Sequence, residues 1–484
     1  MITKYKIISN MFWRFAERIG AQFVQFIVQI VLARILLPEI YGTVALMTAF
    51  ITILEVFVDS GLGNALIQKK NSDDKDFSTV FYFNIFICFI IYILLFIFAP
   101  VIAKFYNNFA LTNYIRVLGL TIVISGVKNV QQAYVSKNLM FKKFFYATIS
   151  GTIIAGVVGI YMALNGFGVW ALIAQQLINM FIDTVILWIT VKWRPIRSFS
   201  FKRLKELWTY GWKLLVSSLI STGYEELRQL IIGKKYSSAD LAYYNNGEKF
   251  PKVIISNINN SIDSVLLPTM SEEQENKERV KSMTRRSITV GIFIMAPLMM
   301  GLIAVSSNLV KLVLTEKWLE SVPYLCIFCI TYMFYPIHTA NLNAIKALGR
   351  SDLFLKLEII KKIVGLTVIL ITMNISVWAM CLSLIFTSIL GQIVNSWPNR
   401  KILNYSYLEQ LKDILPSIFI AIIMGAIVYF MNFIPISNIF ILLTLQVLLG
   451  GIIYIGLSKL FKIDSFEYLL NIIYSKLKRK KNGE

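Results

Sequence analysis

Between Thr79 and Ala103 the chain reads TVFYFNIFICFIIYILLFIFAPVIA, a run with no charged residue. About 20 apolar residues in a helix are enough to cross the hydrocarbon core of a bilayer. Comparable runs recur along all 484 residues, 57% of which are hydrophobic and only 15% charged, with a mean hydropathy of +0.66. A water-soluble core cannot hide that much apolar surface, so lipid is the solvent. In lipid only helices and closed barrels satisfy their own backbone, and these runs are too long for barrel strands. The chain therefore reads as an all-α integral membrane protein.

Apolar runs between polar breaks predict about fourteen spans, near 12–36, 41–66, 79–103, 113–135, 145–164, 168–191, 210–232, 241–267, 287–306, 322–347, 353–373, 377–397, 413–433 and 438–460. The first run has a basic flank but no small-residue cleavage pattern, so it reads as a retained helix. An even count puts both termini on one side. With that side cytoplasmic, roughly 29 Lys and Arg fall in inside loops and roughly 6 outside, as the positive-inside rule requires of a multi-pass protein of the bacterial inner membrane. Past residue 461, Ile463, Phe466, Leu470, Ile473 and Leu477 recur at helical spacing ahead of Lys478, Arg479, Lys480 and Lys481. That tail, 462–484, suits a basic amphipathic helix lying on an anionic cytoplasmic leaflet.

The net charge of +21 is spread through short loops and does not indicate a nucleic-acid partner. Cys88, Cys326, Cys329 and Cys381 lie in apolar segments with no second pair or nearby histidine to complete a metal site. No GxxxxGKS/T phosphate cradle is present, which excludes ATP hydrolysis by a P-loop. Asp74-Lys75-Asp76 sits in a loop too short to hold a nucleotide sugar and reads as a solvated charge run. With no Ser-His-Asp, HExxH or supported carboxylate pair, the expectation is a protein that is not an enzyme and carries no cofactor.

The sequence also matches itself at an offset near 200. Asn165-Gly166-Phe167-Gly168-Val169-Trp170-Ala171-Leu172 aligns with Met373-Asn374-Ile375-Ser376-Val377-Trp378-Ala379-Met380, and Ala33-Arg34 through Asp59 runs ungapped against Gly233-Lys234 through Asn259. Six spans per repeat give two parallel, pseudo-symmetric lobes. The expected layout is an N-lobe over 1–195, a cytoplasmic linker helix over 196–209, a C-lobe over 210–400, and two further spans over 401–461.

Polar residues inside the spans are ordered. Arg14, Arg18, Gln22, Gln25 and Gln29 occupy one helical face of the first span, and Lys213, Ser217, Ser221, Tyr224 and Arg228 occupy one face of the seventh. Thr48, Thr52, Glu55 and Asp59 add a stripe in the second span. Asn245, Lys249, Lys252, Ser256, Asn259 and Asp263 add one in the eighth. A charge at the bilayer centre costs about 2.5–3.5 kcal/mol on the insertion scale, so such residues either pair or line a wet path. Pairing would join Glu17 to Arg14 or Arg18, and Glu225 or Glu226 to Arg228. A wet path would bring the cations to an anionic ligand. Lys128, Lys346, Lys356, Lys361 and Lys362 fit no stripe, and those near a boundary are expected to snorkel. The single histidine, His338, is expected to be packed or hydrogen-bonded.

These residues resemble the polysaccharide transporter branch of the multidrug/oligosaccharidyl-lipid/polysaccharide exporter superfamily, the O-antigen, colanic-acid and teichuronic-acid type of exporter. The resemblance is carried by Leu32-Ala33-Arg34 with Pro38-Glu39-x-Tyr41-Gly42, Asp59-x-Gly61-x-Gly63-x-Ala65-Leu66-Ile67-Gln68, Ser78-Thr79-Val80-Phe81, Gly166-x-Gly168-Val169-Trp170-Ala171-Leu172 with Gln175-Gln176, and Trp193-Arg194-Pro195. It is densest over the first 215 or so residues. It implies alternating-access transport of an undecaprenyl-pyrophosphate-linked oligosaccharide across the membrane for surface polysaccharide biosynthesis. On that reading Arg14, Arg18, Lys213, Arg228, Lys249 and Lys252 meet the anionic headgroup, while Gln22, Gln25 and Asn245 meet sugars. Glu17, Asp59 and Asp263 are candidates for proton or sodium coupling. Partners would be membrane lipid and the glycan polymerase and glycosyltransferases of the same pathway. The alternatives are a drug or cation exporter on the same fold, or a membrane glycan polymerase, which would need a large outside loop that this sequence lacks.

Overall fold

The computed structural model describes the backbone of residues 4–59 and 61–481, and the side chains of residues 13, 16–17, 19–58, 61–472 and 474–475. The side chains of Arg14, Arg18 and Asp59 lie outside the described residues, as do those of Ile473 and Leu477 in the tail. Among the described residues the chain is helical without strands. In order, the helices are α1 (Lys4–Ile35), α2 (Pro38–Asp59), α3 (Leu62–Gln68), α4 (Asp74–Phe105), α5 (Leu111–Leu118), α6 (Leu120–Lys137), α7 (Phe141–Leu164), α8 (Val169–Thr190) and α9 (Phe201–Lys235). There follow α10 (Ser238–Glu272), α11 (Lys277–Leu314), α12 (Val322–Met333), α13 (Tyr335–Ala347), α14 (Ser351–Thr372), α15 (Val377–Ile402), α16 (Tyr407–Phe430), α17 (Ile439–Leu460) and α18 (Asp464–Lys481).

Each expected span falls on one or two of these helices, and α18 falls on the expected tail helix. Nine stretches among the described residues are long and apolar enough to cross a membrane, so apolarity alone does not establish a count of fourteen. The helices that fall short include α1, α9 and α10, which carry three of the four polar stripes. Their polar faces lower the mean hydropathy of helices long enough to span.

Three expected spans are interrupted. The second breaks between α2 and α3, where Gly61 takes φ 66° and turns the backbone left-handed. The fourth is divided at Gly119, and the tenth at Phe334, just before Pro336 at the start of α13. The linker departs from expectation in the other direction. Residues 191–200 are not helical, and from Phe201 a single helix runs to Lys235, so the expected linker helix and seventh span are one element. Ser200 caps it, its side chain accepting from the Arg203 N–H, and no proline interrupts it.

Two compact units emerge, Met1–Ala242 and Tyr243–Glu484. Within the first unit α9 packs along α2, α3 and α4. A close approach shows how tightly: a Cβ on Gly61 would stand 2.3 Å from the carbonyl oxygen of Gly211.

The internal repeat has a structural counterpart. The turn from Ile35 to Pro38 matches that from Lys235 to Ser238, and the interrupted fourth span matches the interrupted tenth. A residue with positive φ follows each of the matching helices α6 and α13, Leu139 at 53° and Gly349 at 72°. Turns that demand the same unusual backbone at matching places are hard to obtain without a common plan.

Gly61 gives a direct test. Gly61→Ala is expected to lose about 1–2 kcal/mol to the left-handed conformation and more to the clash with Gly211. Gly166→Ala, at φ 80° with nothing within 4 Å of the new Cβ, is expected to lose only the conformational part. Thermal unfolding in detergent checks the order; equal destabilisation would show that α9 does not close on this turn.

Candidate functional site

The stripe on α9 is open at one end and closed at the other. Lys213 and Ser217 are exposed, Ser221 and Tyr224 are partly buried, and Arg228 is only 5% exposed. Gln22 and Gln25 are exposed on α1, and the carbonyl oxygen of Gln29 accepts from the Tyr41 hydroxyl at 3.4 Å. On α10, Asn245 and Lys249 are partly buried. Lys252 is open but pairs with Glu248 at 3.0 Å, and Glu248 also accepts from the Tyr332 hydroxyl at 2.5 Å. The cation of Lys252 is thus partly neutralised within its own helix, by a carboxylate that lies outside the stripe. Glu17 is partly buried on α1.

A second polar layer lies inside each unit. In the first, Lys128 on α6 pairs with Asp183 on α8 at 3.0 Å, with both side chains largely enclosed. Lys128 therefore does not snorkel. Nearby, the Ser125 hydroxyl lies 3.5 Å from Glu55, and Asn84 donates to Asn129 at 3.4 Å. In the second unit the matching helices are α13 and α15, and the matching contact is between His338 Nδ1 and the Asn395 amide at 3.0 Å. The paired residues are 55 apart in one unit and 57 in the other. His338 is packed and hydrogen-bonded, edge-on to Tyr335, as its sequence setting suggests.

Beside His338, a cavity of about 380 Å³ opens between α10, α13, α14 and α15. Asp263 lines it and accepts from the Asn343 amide at 2.7 Å, while Thr339 donates to Asn259 at 2.6 Å. Across the cavity Lys361 pairs with Glu358 at 2.6 Å. Asn343 is fully buried and its Oδ1 has no hydrogen-bond partner, which leaves an acceptor next to the Asp263 carboxylate. Carboxylate, amide and hydroxyl oxygens in one place are the donor set of a hard cation, or of a proton relayed through water. Asp263 is thus brought together with Asn259 but not with Lys249 or Lys252.

The loop before α4 corrects one expectation. Asp76 is not solvated: it is 1% exposed and accepts from Lys69 at 2.8 Å and from Arg203 at 3.1 Å. It forms a capping box with Asp73, which Arg203 also contacts. Burial pushes the Asp73 carboxyl up, but the Asp76 backbone N–H and the Arg203 guanidinium outweigh it and hold the group below the usual carboxylate range. Its contribution is therefore present at neutral pH and is lost only as pH falls through that lowered value.

Two sequence motifs meet at this loop. Ser78 and Thr79 accept the backbone N–H groups of Ile196 and Ser200 at 2.9 and 3.3 Å, while Trp193 packs buried against Phe77, Phe81 and Tyr134. Arg194 donates to the carbonyls that end α8. Apart from the exposed Arg194, these residues are turned inward, and together they clamp the non-helical linker. Their place is structural.

The family described as polysaccharide biosynthesis protein matches residues 31–323 of the chain. Teichuronic acid biosynthesis protein TuaB of Bacillus subtilis (strain 168) is 26% identical over 308 residues, covering 62% of each chain. Succinoglycan biosynthesis transport protein ExoT of Rhizobium meliloti (strain 1021) is 23% identical over 319 residues, 66% of this chain and 65% of that one. The chain thus spans a little under two thirds of the length of these two relatives. Lipopolysaccharide biosynthesis protein WzxC of Escherichia coli (strain K12) is 24% identical over 347 residues, 70% of each. Among solved structures, the lipid II flippase MurJ in an inward closed conformation superposes with a TM-score of 0.76 at 15% identity, covering 94% of this chain and 99% of that one. An inward-facing multidrug resistance MATE family transporter gives 0.64 at 14% identity, covering 81% and 98%. At such identities the likeness establishes the fold alone, a multi-pass helical fold shared with these two solved structures.

The enclosed pair in the first unit is testable. Lys128→Ala or Asp183→Ala alone leaves an uncompensated buried charge and is expected to destabilise by about 3–5 kcal/mol. The double variant should be less destabilised than the sum of the two singles. Additive losses in a double-mutant cycle of thermal stability would show that the two groups do not interact.

Proposed function

The chain belongs to the family of polysaccharide biosynthesis proteins, and we propose that within it the chain is a flippase. It carries an undecaprenyl-pyrophosphate-linked glycan repeat unit from the cytoplasmic to the outer leaflet of the bacterial inner membrane, by alternating access, with both termini cytoplasmic. One observation carries this reading: α1, α9 and α10, long enough to span, present amides and cations along faces where a membrane helix would ordinarily present only apolar side chains. The names of the relatives, concerned with teichuronic acid, succinoglycan and lipopolysaccharide, support a glycan cargo.

The roles follow from charge. Lys213 and Lys249, with Arg14 and Arg18, attract the pyrophosphate, for which cationic side chains are the natural partners. Gln22, Gln25 and Asn245 exchange hydrogen bonds with sugar hydroxyls, replacing water at little net cost. Arg228, being enclosed, sets the local potential from behind the surface, and Lys252 works as a pair with Glu248. The polyprenyl chain stays in lipid. Coupling to protons or sodium is assigned to Asp263, because its cavity offers the buried acceptor of Asn343 and the Asn259–Thr339 pair beside a carboxylate. An ion that binds one state of the transporter more tightly shifts its equilibrium by that difference in affinity.

The alternative with an observation in its favour is export of cationic drugs, since the MATE transporter shares the fold. Such a cargo calls for acidic and aromatic surfaces. The exposed cation of Lys213 favours an anionic one.

In cells lacking the gene, lipid-linked oligosaccharide should accumulate on the cytoplasmic side and surface glycan should be lost. Complementation with Lys249→Gln, Lys213→Gln or Arg18→Gln is expected to restore less than about a tenth of the surface glycan at unchanged protein level, by the energy of one charge-assisted contact. Full glycan in all three would reject the headgroup assignment. Glycan displayed without the gene, and without accumulation, would reject the flippase reading.

A further inference from the structure

At one end of the second unit, where α11, α16, α17 and α18 meet, there is a cavity of about 430 Å³ that the transport reading does not use. Four cations, Arg285, Arg286, Lys412 and Lys462, line it against two carboxylates, Asp413 and Asp464. The cations are not equivalent. Arg285 pairs with Asp413, whose other oxygen accepts from the Tyr405 hydroxyl at 2.7 Å, so that carboxylate is already satisfied. No ion pair joins Arg286, Lys412 or Lys462 to a described carboxylate. The Arg286 guanidinium lies over the Tyr468 ring, 4.0 Å from its centroid, an arrangement that holds the plane still and leaves its edge donors for another partner.

The corner between α17 and α18 adds two features. Lys462 sits there at φ 48°, a left-handed conformation that glycine adopts freely and lysine does not. The 18-residue helix α18 then begins at Asp464 on the cavity wall, its start fixed by Ile463 and Ser465, which are 8% and 5% exposed, and by Phe466 packing on Phe293. Val290, Pro416 and Phe461 complete the lining with apolar surface, and Leu460 and Phe461 beside it are 73% and 57% exposed.

A lysine that merely snorkels extends to the open rim of its helix. Here three cations without a carboxylate partner instead line one cavity, next to exposed apolar side chains at the end of three helices apolar enough to cross a membrane. Positive charge and an apolar wall side by side match an amphiphile with an anionic head. We propose that this cavity is a binding site for the phosphodiester headgroup of an anionic phospholipid, taken by Arg286, Lys412 and Lys462, with an acyl chain lying over Leu460 and Phe461. The lipid would tie the α17–α18 corner to the membrane surface. Only the leaflet that supplies it, the cytoplasmic one, rests on the topology assigned above.

The test uses the purified full chain and fluorescent phosphatidylglycerol or phosphatidylcholine presented in mixed micelles, with glycerol phosphate as soluble competitor. Phosphatidylglycerol should bind at least about tenfold more tightly than phosphatidylcholine, and glycerol phosphate should fail to displace it. The triple variant Arg286→Gln, Lys412→Gln, Lys462→Gln should lose roughly ten- to a hundredfold in affinity for phosphatidylglycerol alone, as expected for removal of several interfacial cations. Lys462→Gly supplies a variant that cannot be dismissed as misfolded: it relieves the left-handed strain, so it should unfold at the same or a higher temperature without lipid while binding phosphatidylglycerol more weakly. Equal affinity for the two lipids, or unchanged binding by the triple variant, would overturn the proposal. Displacement by glycerol phosphate as readily as by lipid would also overturn it, by making the site one for free phosphate. Because binding is read without transport, failure here leaves the flippase reading standing, and failure of transport leaves this site standing.

Discussion

The price of a charge in hydrocarbon governs this molecule. At about 2.5–3.5 kcal/mol for each ionised group at mid-bilayer, a polar residue in a spanning helix must find water, a counter-ion or a hydrogen-bond network. The chain uses all three. Lys128 has Asp183, Lys252 has Glu248 and Lys361 has Glu358, each within 3.0 Å. Asp263 has the Asn343 amide and a cavity. Lys213, with Gln22 and Gln25, is left exposed on a helix face. The first group fastens helices to one another, and the last is the group to which the proposed transport assigns the cargo.

The two layers do different work. The inner layer is repeated: α6 meets α8 through a lysine and a carboxylate, while α13 meets α15 through a histidine and an amide. The same helix pairs are thus fastened by an ion pair in one unit and by a neutral hydrogen bond in the other. That difference leaves the second unit room for the cavity beside His338, where Gly391 takes the place a side chain would fill; a Cβ there would come within 3.1 Å of the imidazole. The start of α9 is tied to that of α4 by a third device, the buried Asp76 with Lys69 and Arg203.

Helix positions were legible because apolar runs and charged turns alternate so sharply. Interruptions were less so. Gly61 reads in sequence as one glycine among small residues, and only its approach to Gly211 shows why the span must turn there. The fusion of the linker with the seventh span was hidden by Lys202, Arg203 and Lys205, which look like loop charge but lie on the first turns of a continuous helix. Asp76 was misread for a related reason: in a short charged loop nothing in the sequence tells which carboxylate will be buried by partners seven and 127 residues away. Asp183 was missed as a site residue because it is the only carboxylate on its helix, with a partner 55 residues away that periodicity cannot supply, whereas Glu248 could have been found from its i,i+4 spacing to Lys252. A lone carboxylate amid apolar residues, as in Phe181-Ile182-Asp183-Thr184-Val185, was the available signal.

Transport of a polar headgroup requires that the stripe faces of α9 and α10 meet water inside the membrane. Single cysteines at Ser217 and Asn245, in a chain whose four native cysteines are replaced by alanine, should react in intact membranes with a small water-soluble maleimide. Cysteines at Val216 and Ile220, on the neighbouring apolar face of α9, should react at least about tenfold more slowly, since thiolates form poorly in hydrocarbon. Equal and slow labelling at all four positions would mean that the stripes are dry, and the transport account would fail with them.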